Sequence, residues 1–402
     1  EGNPFFIEEV VRMLVDRGLI EKRGERWMAG SEISTLDVPE TLHGLLASRI
    51  DGLPPTVRQT ARVAAVIGRR FEPRLVATVL TGSDEGAIPA ELNVLEGRGV
   101  IKLVAVRPEL AFSFRHALIH DVTYESILRK DRRDLHGRVG DAIVSHHGER
   151  PEDAPILARH YEQAGDNDKA LHYLLAAGEA AGARHAMPES HHFYRRALDM
   201  LAADSSASVE RRIDVALSTA AAGMRFIPGG ETVAALEAVR QEAEGLGDPD
   251  LLARVYALSL RVRAMLEESY ADPGFRDIMD RAYALAPQVH QPELRAYLEG
   301  MMGQALRSAD EFARAVELVG GSVAPLEAAG RVGEAGFNAA LTADVEASRG
   351  RFSEADQWIE RGAELGAASG NPNVIADVEL MKGRIAAARG ELQTALEHTR
   401  LG

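Results

Sequence analysis

The sequence contains no cysteine. That excludes disulfides, thiolate metal sites and cysteine nucleophiles, and it fits a reducing, cytoplasmic setting. Aromatic residues make up only 5%, which argues against the base-stacking platforms of single-strand nucleic-acid binders. No apolar run approaches the ~18 residues that a membrane span needs, and no apolar N-terminal segment reads as a signal peptide. Lysine is scarce beside arginine, a compositional bias without functional weight. The usual catalytic patterns are missing as well. No Gly-Lys pair occurs, so there is no G-x-x-x-x-G-K-[ST] loop. Nor is there a G-x-S-x-G, an H-E-x-x-H, a Gly-rich dinucleotide turn after a strand, or an apolar run ending in paired acids for Mg²⁺.

What is present is a folded, soluble composition: 402 residues, 46% apolar and 27% charged. At about 150 residues per domain this implies two or three domains. The chain begins at Glu1 rather than Met and ends at Gly402 without closing its last helical stretch, so both ends read as cut from a longer protein. The net charge of −15 is uneven. Residues 1–150 hold 21 Lys and Arg against 22 Asp and Glu, and the rest hold 25 against 39. The C-terminal part therefore repels phosphates and anionic lipid. Neither nucleic acid nor a membrane is expected as a partner.

Periodicity predicts a mainly α protein. Residues 4–17 read as a helix with proline in its first turn, and 19–27 as a short hairpin around Arg23-Gly24. Helices follow at 42–53, 55–67, 73–80 and 88–97. Two apolar runs, 100–106 and 111–114, flank Arg107-Pro108-Glu109 as a hairpin. Three helices followed by a two-stranded hairpin is the order of a winged helix. Residues 117–147 read as helical, and nothing beyond 153 reads as strand.

The strongest internal signal is a period of 40 residues. Gly350 and Ala355 recur as Gly390 and Ala395, with Asp310 and Ala315, and Gly230 and Ala235, in the same register. Tyr270 and Phe275 form a degenerate member. Met301, Leu341 and Met381 align in the preceding helix, followed by Ala305, Val345 and Ile385. Each unit is thus a helix, a small-residue turn and a second helix. A lone helix pair cannot bury its own apolar face, so such units stack into an α-solenoid.

Among the histidines, His116 and His120 stand four apart beside Asp121, a spacing that could hold zinc with a third ligand. The plainer reading puts one near a strand end and the other on the surface, with no metal. His146-His147 and His191-His192 read as surface pairs. Arg129-Lys130-Asp131-Arg132-Arg133 is the densest basic run and reads as a solvated helix face rather than a phosphate site.

Gly2-Asn3-Pro4-Phe5-Phe6-Ile7-Glu8-Glu9 resembles a segment of the signal-transduction ATPases with numerous domains, relatives of the AAA+ ATPases. The resemblance continues through Val38-Pro39-Glu40-Thr41-Leu42, Ser48-Arg49-Ile50-Asp51, Ala64-Ala65-Val66-Ile67-Gly68 and Phe114-Arg115-His116-Ala117-Leu118-Ile119. It covers residues 1–147 most closely and is similar to the ATPase module attached to bacterial class III adenylate/guanylate cyclases. The tetratricopeptide-like repeats of such proteins are matched from Ala158-Arg159-His160-Tyr161 to Tyr173-Leu174.

The resemblance implies a helical lid segment at 1–37, a winged-helix-like domain at 38–147 and a tetratricopeptide-like solenoid at 153–402. It implies that Pro4 lies near the adenine of ATP or ADP in the full-length parent, with Gly2 and Asn3 shaping the turn of that nucleotide site, and that His116 reaches a phosphate. Ala117 departs from the acidic residue that other branches carry after that histidine. The chain alone, lacking a phosphate loop, is expected neither to hold nucleotide tightly nor to hydrolyse it. It reads as a regulatory and sensory fragment whose repeats bind a protein or small ligand. The parent would be an ATPase, with an upstream cyclase domain. A LuxR-type transcription regulator and a stand-alone repeat scaffold are the alternatives.

Overall fold

A computed structural model describes residues 20–23, 26–29, 41–81, 88–105, 109–266, 271–307 and 311–401, with single positions at 7, 10, 11, 14, 15 and 268. The expected first helix, the Arg107-Pro108 turn and Tyr270 fall on or largely within residues outside this set. The chain divides into two compact units, 1–180 and 181–402, and each is described by itself.

In the first unit, β1 (Ile20–Arg23) pairs antiparallel with β2 (Arg26–Ala29), Ile20 opposite Ala29. This is the hairpin expected from alternation. Helix α1 (Leu42–Asp51) starts at Thr41, whose hydroxyl accepts from the Gly44 amide at 3.1 Å. That bond satisfies one of the amides a helix start leaves open. Helix α2 (Pro55–Ile67) opens on a proline, which has no amide to satisfy there. It buries Ala61, Val63, Ala64, Ala65 and Val66. Then come β3 (Arg70–Phe71), α3 (Pro73–Thr81), α4 (Pro89–Gly97), β4 (Ile101–Ala105) and β5 (Ala111–Phe114).

The sheet has three strands in the order β3-β5-β4, all antiparallel, where the sequence predicts two. The added strand is two residues long, too short for alternation to show. Phe71 anchors it, its ring 6.2 Å from that of Phe112 and 5.9 Å from that of Phe114. Helices α5 (Ala117–Glu125) and α6 (Arg129–His147) follow, then the first repeat-like pair, α7 (Ala154–Ala164) and α8 (Asn167–Ala183). Gly140 on α6 lets the Tyr161 ring in: a Cβ there would stand 2.8 Å from the ring.

The second unit is helical throughout its described residues: α9 (Met187–Ala203), α10 (Val209–Gly223), α11 (Gly229–Leu246), α12 (Pro249–Met265), α13 (Pro273–Leu285), α14 (Pro292–Arg307), α15 (Phe312–Ala328), α16 (Val332–Ser348), α17 (Phe352–Ser369), α18 (Pro372–Ala388) and α19 (Leu392–Leu401). The 40-residue period is visible in the helix starts. Helices α16 and α18 begin at 332 and 372, and α15, α17 and α19 at 312, 352 and 392. Gly330, Gly350, Gly370 and Gly390 all take positive φ, between 61° and 82°. A left-handed residue thus ends a helix every 20 residues, and glycine holds that conformation at no steric cost.

The pairs form an α-solenoid of tetratricopeptide-like units. Small residues let their backbones touch: a Cβ on Gly362 would lie 2.9 Å from the Ala340 amide nitrogen, and one on Gly303 would lie 3.0 Å from the Val319 amide. The aligned column Met301, Leu341, Met381 is buried, as is Ala305, Val345, Ile385. Gly230 departs from the predicted register. It lies within the first turn of α11 rather than in a turn between helices, and Ala235 is exposed. Phe275 is fully buried on α13.

Candidate ligand-binding groove

Gly2, Asn3 and Pro4 lie outside the described residues. His116 stands where β5 gives way to α5, as the residue that starts the helix, and is half-buried. Its carbonyl accepts from the His120 amide at 3.4 Å. His120 is not the surface residue that the sequence predicts. Its side chain is only 13% exposed, with Nε2 3.0 Å from the Ala65 carbonyl and Nδ1 2.8 Å from Asp121. The helix-to-helix packing of α5 on α2 accounts for the difference, because it brings a carbonyl from the end of α2 against that face. No cluster of three metal-ligating side chains occurs among the described residues.

The other histidines expected on the surface have partners too. His146 Nε2 lies 2.7 Å from Thr78 Oγ1, and His147 Nδ1 2.8 Å from Asp153. The basic run at 129–133 serves packing in part. Arg132 lies over the Tyr124 ring at 4.4 Å, and Arg133 donates to the Ala164 carbonyl.

A candidate site lies in the second unit. A groove of about 470 Å³ is lined by the first helices of successive pairs, α10, α12, α14, α16 and α18, together with His185 and the start of α9. Its floor is apolar and adaptable, with Met187, Met224, Met265, Met301 and Phe337. Methionine thioethers repack around varied ligand shapes.

Amide groups punctuate that floor. Asn338 is 1% exposed. Its Nδ2 donates to Ser322 Oγ at 2.8 Å, and Ser322 in turn donates to the Val319 carbonyl at 2.6 Å. Those two bonds fix the amide orientation and leave Oδ1 buried with no partner. Gly300 makes the room, since a Cβ there would come within 2.5 Å of Asn338 Nδ2. A buried acceptor without a donor costs on the order of 1–3 kcal/mol, so a ligand N–H reaching it through a small shift gains what the empty groove forgoes.

Charge is concentrated at one part of the groove. Arg225 and Arg261 line it and form no ion pair or hydrogen bond among the described residues. Asp377 faces the same space. Burial pushes its carboxyl above the ordinary range, against the pull of Arg225 and Arg261. Glu334, also on the lining, is taken up by Arg331 at 2.9 Å. Two guanidinium groups thus face one partly desolvated acid, in a region of the chain whose balance is strongly negative.

None of these residues stands out by type in the sequence. A signal exists in the period. Ala221, Arg261 and Met301 are spaced by 40, as are Tyr297, Phe337 and Asp377, Arg225 and Met265, and Gly333 and Asn373. The groove takes its lining from repeat columns, and one of them, Ala221, Arg261 and Met301, continues into the core as Leu341 and Met381.

No family model matches the chain. A protein of Rhizobium meliloti (strain 1021), the uncharacterized protein R02095, is 32% identical over 200 residues, 50% of this chain and 19% of that protein. The chain therefore spans less than a fifth of the length of this curated relative. Among solved structures, a Rap protein complexed with competence and sporulation factor has a TM-score of 0.47 at 11% identity, covering 71% of this chain and 90% of that one. A signal transduction ATPase with numerous domains and a tetratricopeptide repeat sensor, from Pyrococcus horikoshii, has a TM-score of 0.42 at 11% identity, covering 91% and 59%.

Proposed function

We propose that this chain is the sensory and regulatory part of a larger ATP-binding signal-transduction protein, and that its repeat groove receives a protein or peptide partner. The observation that carries the reading is the groove. Five successive first helices contribute to it, and its lining suits a polypeptide. Methionines accommodate varied side chains, the buried Asn338 carbonyl accepts a backbone N–H, and two unpaired arginines take a carboxylate. Residues 38–147 would act as the winged-helix element between the repeats and a nucleotide-binding core. His116, at the end of β5, would donate to a phosphate, and Pro4 would lie by the adenine on a turn shaped by Gly2 and Asn3. ATP or ADP would supply the charge difference that biases such a two-state element. A phosphate-binding loop and an adenylate/guanylate cyclase output would come from parts of the protein beyond this sequence.

The test is a selection of displayed random peptides on the whole chain, followed by affinity measurements on the enriched peptides. The expected result is a saturable peptide whose affinity falls at least tenfold in the Arg225→Glu/Arg261→Glu double variant. It should hold in Arg361→Glu, a surface change elsewhere. No enrichment, or equal binding by the double variant, sinks the reading. In the longer protein the same peptide should change the rate of ADP release; an unchanged rate removes the nucleotide-switch part alone.

A further inference from the structure

A second cavity, of about 570 Å³, lies between α9, α10 and α11 and shares no residue with the groove. Its size is that of an ordinary small-molecule site. One face of each helix forms it. On α9 the lining residues His191, Arg195, Leu198 and Ala202 follow helical spacing. That face is about 16 Å long at 1.5 Å per residue.

The void exists because the positions that look into it are small. Ala216 and Ala220 on α10 face Ala235 and Ala238 on α11. Forty residues further along, where α12 repeats the burial pattern of α10, the same two positions are Tyr256 and Leu260, only 4% and 1% exposed. The repeat that lacks the cavity fills it with its own side chains. The remaining wall is aliphatic, with Leu198, Ile213, Ile227, Leu236 and Val239. No aromatic side chain other than the His191 imidazole lines it, so a planar ring system finds little to stack on.

The polar groups lie on all three helices: His191 and Arg195 on α9, Arg212 and Thr219 on α10, and Glu231, Thr232 and Glu242 on α11. Among the described residues Arg195 bonds only through Nε, to Asp199 at 3.3 Å, which leaves its terminal nitrogens for a ligand. His191 lies one turn away, with Nδ1 3.0 Å from the Thr219 carbonyl. A carbonyl only accepts, so Nδ1 carries the proton and the ring is held in place. The two acids on the lining are accounted for. Glu242 stands 3.6 Å from Arg212, and Glu231 sits in the first turn of α11, where a helix N-terminus draws negative charge.

We propose that this cavity binds an aliphatic carboxylate, a medium-chain fatty acid, with its headgroup on Arg195 beside His191 and its tail along the Ala216–Ala220 wall. The aliphatic wall sets the tail, and the arginine with free terminal nitrogens sets the sign of the head. The proposal is independent of the peptide groove.

The test is calorimetric titration of the whole chain with sodium dodecanoate below its micelle concentration. Dodecylamine and dodecanol serve as probes of the headgroup. One saturable site is expected, with at least tenfold weaker binding of dodecylamine. Ala216→Leu restores part of what the next repeat carries and should abolish binding while holding or raising Tm. Should that variant fail to fold, Ala235→Leu makes the same block from the opposite helix. Arg195→Gln should weaken dodecanoate at least tenfold and leave dodecanol unchanged. Absence of saturable binding overturns the proposal. So does binding that persists in a folded cavity-filled variant, or equal affinity for dodecylamine.

Discussion

Acidification should loosen the first unit at one identifiable place, the buried pair His136 and His160. Each is 1% exposed. Their Nδ1 atoms lie 2.9 Å apart, and His136 Nε2 lies 2.9 Å from the Tyr124 hydroxyl. In the neutral pair one ring donates to the other, and His160 Nε2 has no hydrogen-bond partner among the described residues. A second proton would place two donors face to face in a desolvated site. Burial, reinforced by Arg159, brings His136 down to about 4 and, with the His136 charge, His160 down to about 3. In the unfolded chain both return to about 6.5.

The sign follows from linkage. Below about pH 6.5 the unfolded state binds more protons than the folded state, so stability falls as pH falls, and the slope ends only near the folded values. Between pH 7 and pH 5 each imidazole accounts for a loss of about 2 kcal/mol, hence about 4 kcal/mol for the pair. The assay is hydrogen exchange of the amides in Arg129–His147 and Ala154–Ala164, corrected for intrinsic rates, at the two pH values. A loss of that size means protection falls on the order of a thousandfold where exchange proceeds through unfolding. Carboxylates titrate over the same range, so the discriminating comparison is His136→Phe/His160→Leu, in which the extra fall should vanish. An equal fall in the double variant would refute the assignment to this pair.

Other expectations concern the repeats. Asp344 is buried and bridges Arg307 at 2.8 Å and Arg384 at 3.1 Å, joining three successive first helices. Asp344→Ala should therefore cost about 1–3 kcal/mol in urea denaturation, because Arg307 and Arg384, 29% and 49% exposed, lose a charged hydrogen-bond partner while water still reaches them. Gly303→Ala gains about 1 kcal/mol in helix propensity but meets backbone, so overpacking of about 1–3 kcal/mol should lower Tm; a rise in Tm would show that α14 and α15 have room to move apart. Gly350→Ala should lose about 1–2 kcal/mol from its left-handed conformation alone, since nothing lies within 4 Å of the added carbon. Gly350→Asn should recover part of that loss, because asparagine tolerates the conformation.

The solenoid was legible because its physics repeats. A buried small residue, a left-handed glycine and an apolar column must recur wherever helix pairs stack, and Ala315, Ala355 and Ala395 do so at the stated spacing. The hairpin β1–β2 and the helices of the first unit were legible from alternation and proline placement. Strand β3 was not, since two residues carry no period. The histidines were misjudged for a related reason. Periodicity along one helix says which side chains share a face and nothing about what packs on it, so neither the Ala65 carbonyl against His120 nor the ring of His160 against His136 could be read from the chain.

The groove lies between these cases. Its positions obey the same 40-residue period as the core, and one column changes role along the stack: Ala221 and Arg261 line the groove, Met301 lines it while buried, and Leu341 and Met381 belong to the core, whereas Tyr297, Phe337 and Asp377 all line the groove. A core column must keep its volume, because every member meets the same neighbour at close packing. A column that faces a groove meets no fixed neighbour within the chain, so each repeat can place a cation, an acid, a ring or a thioether there without disturbing the stack. Regular spacing with irregular chemistry is therefore what a recognition surface looks like in a repeat sequence. The column of Tyr297, Phe337 and Asp377 shows this, passing from ring to ring to acid, whereas the column of Met301, Leu341 and Met381 keeps its volume where it is buried.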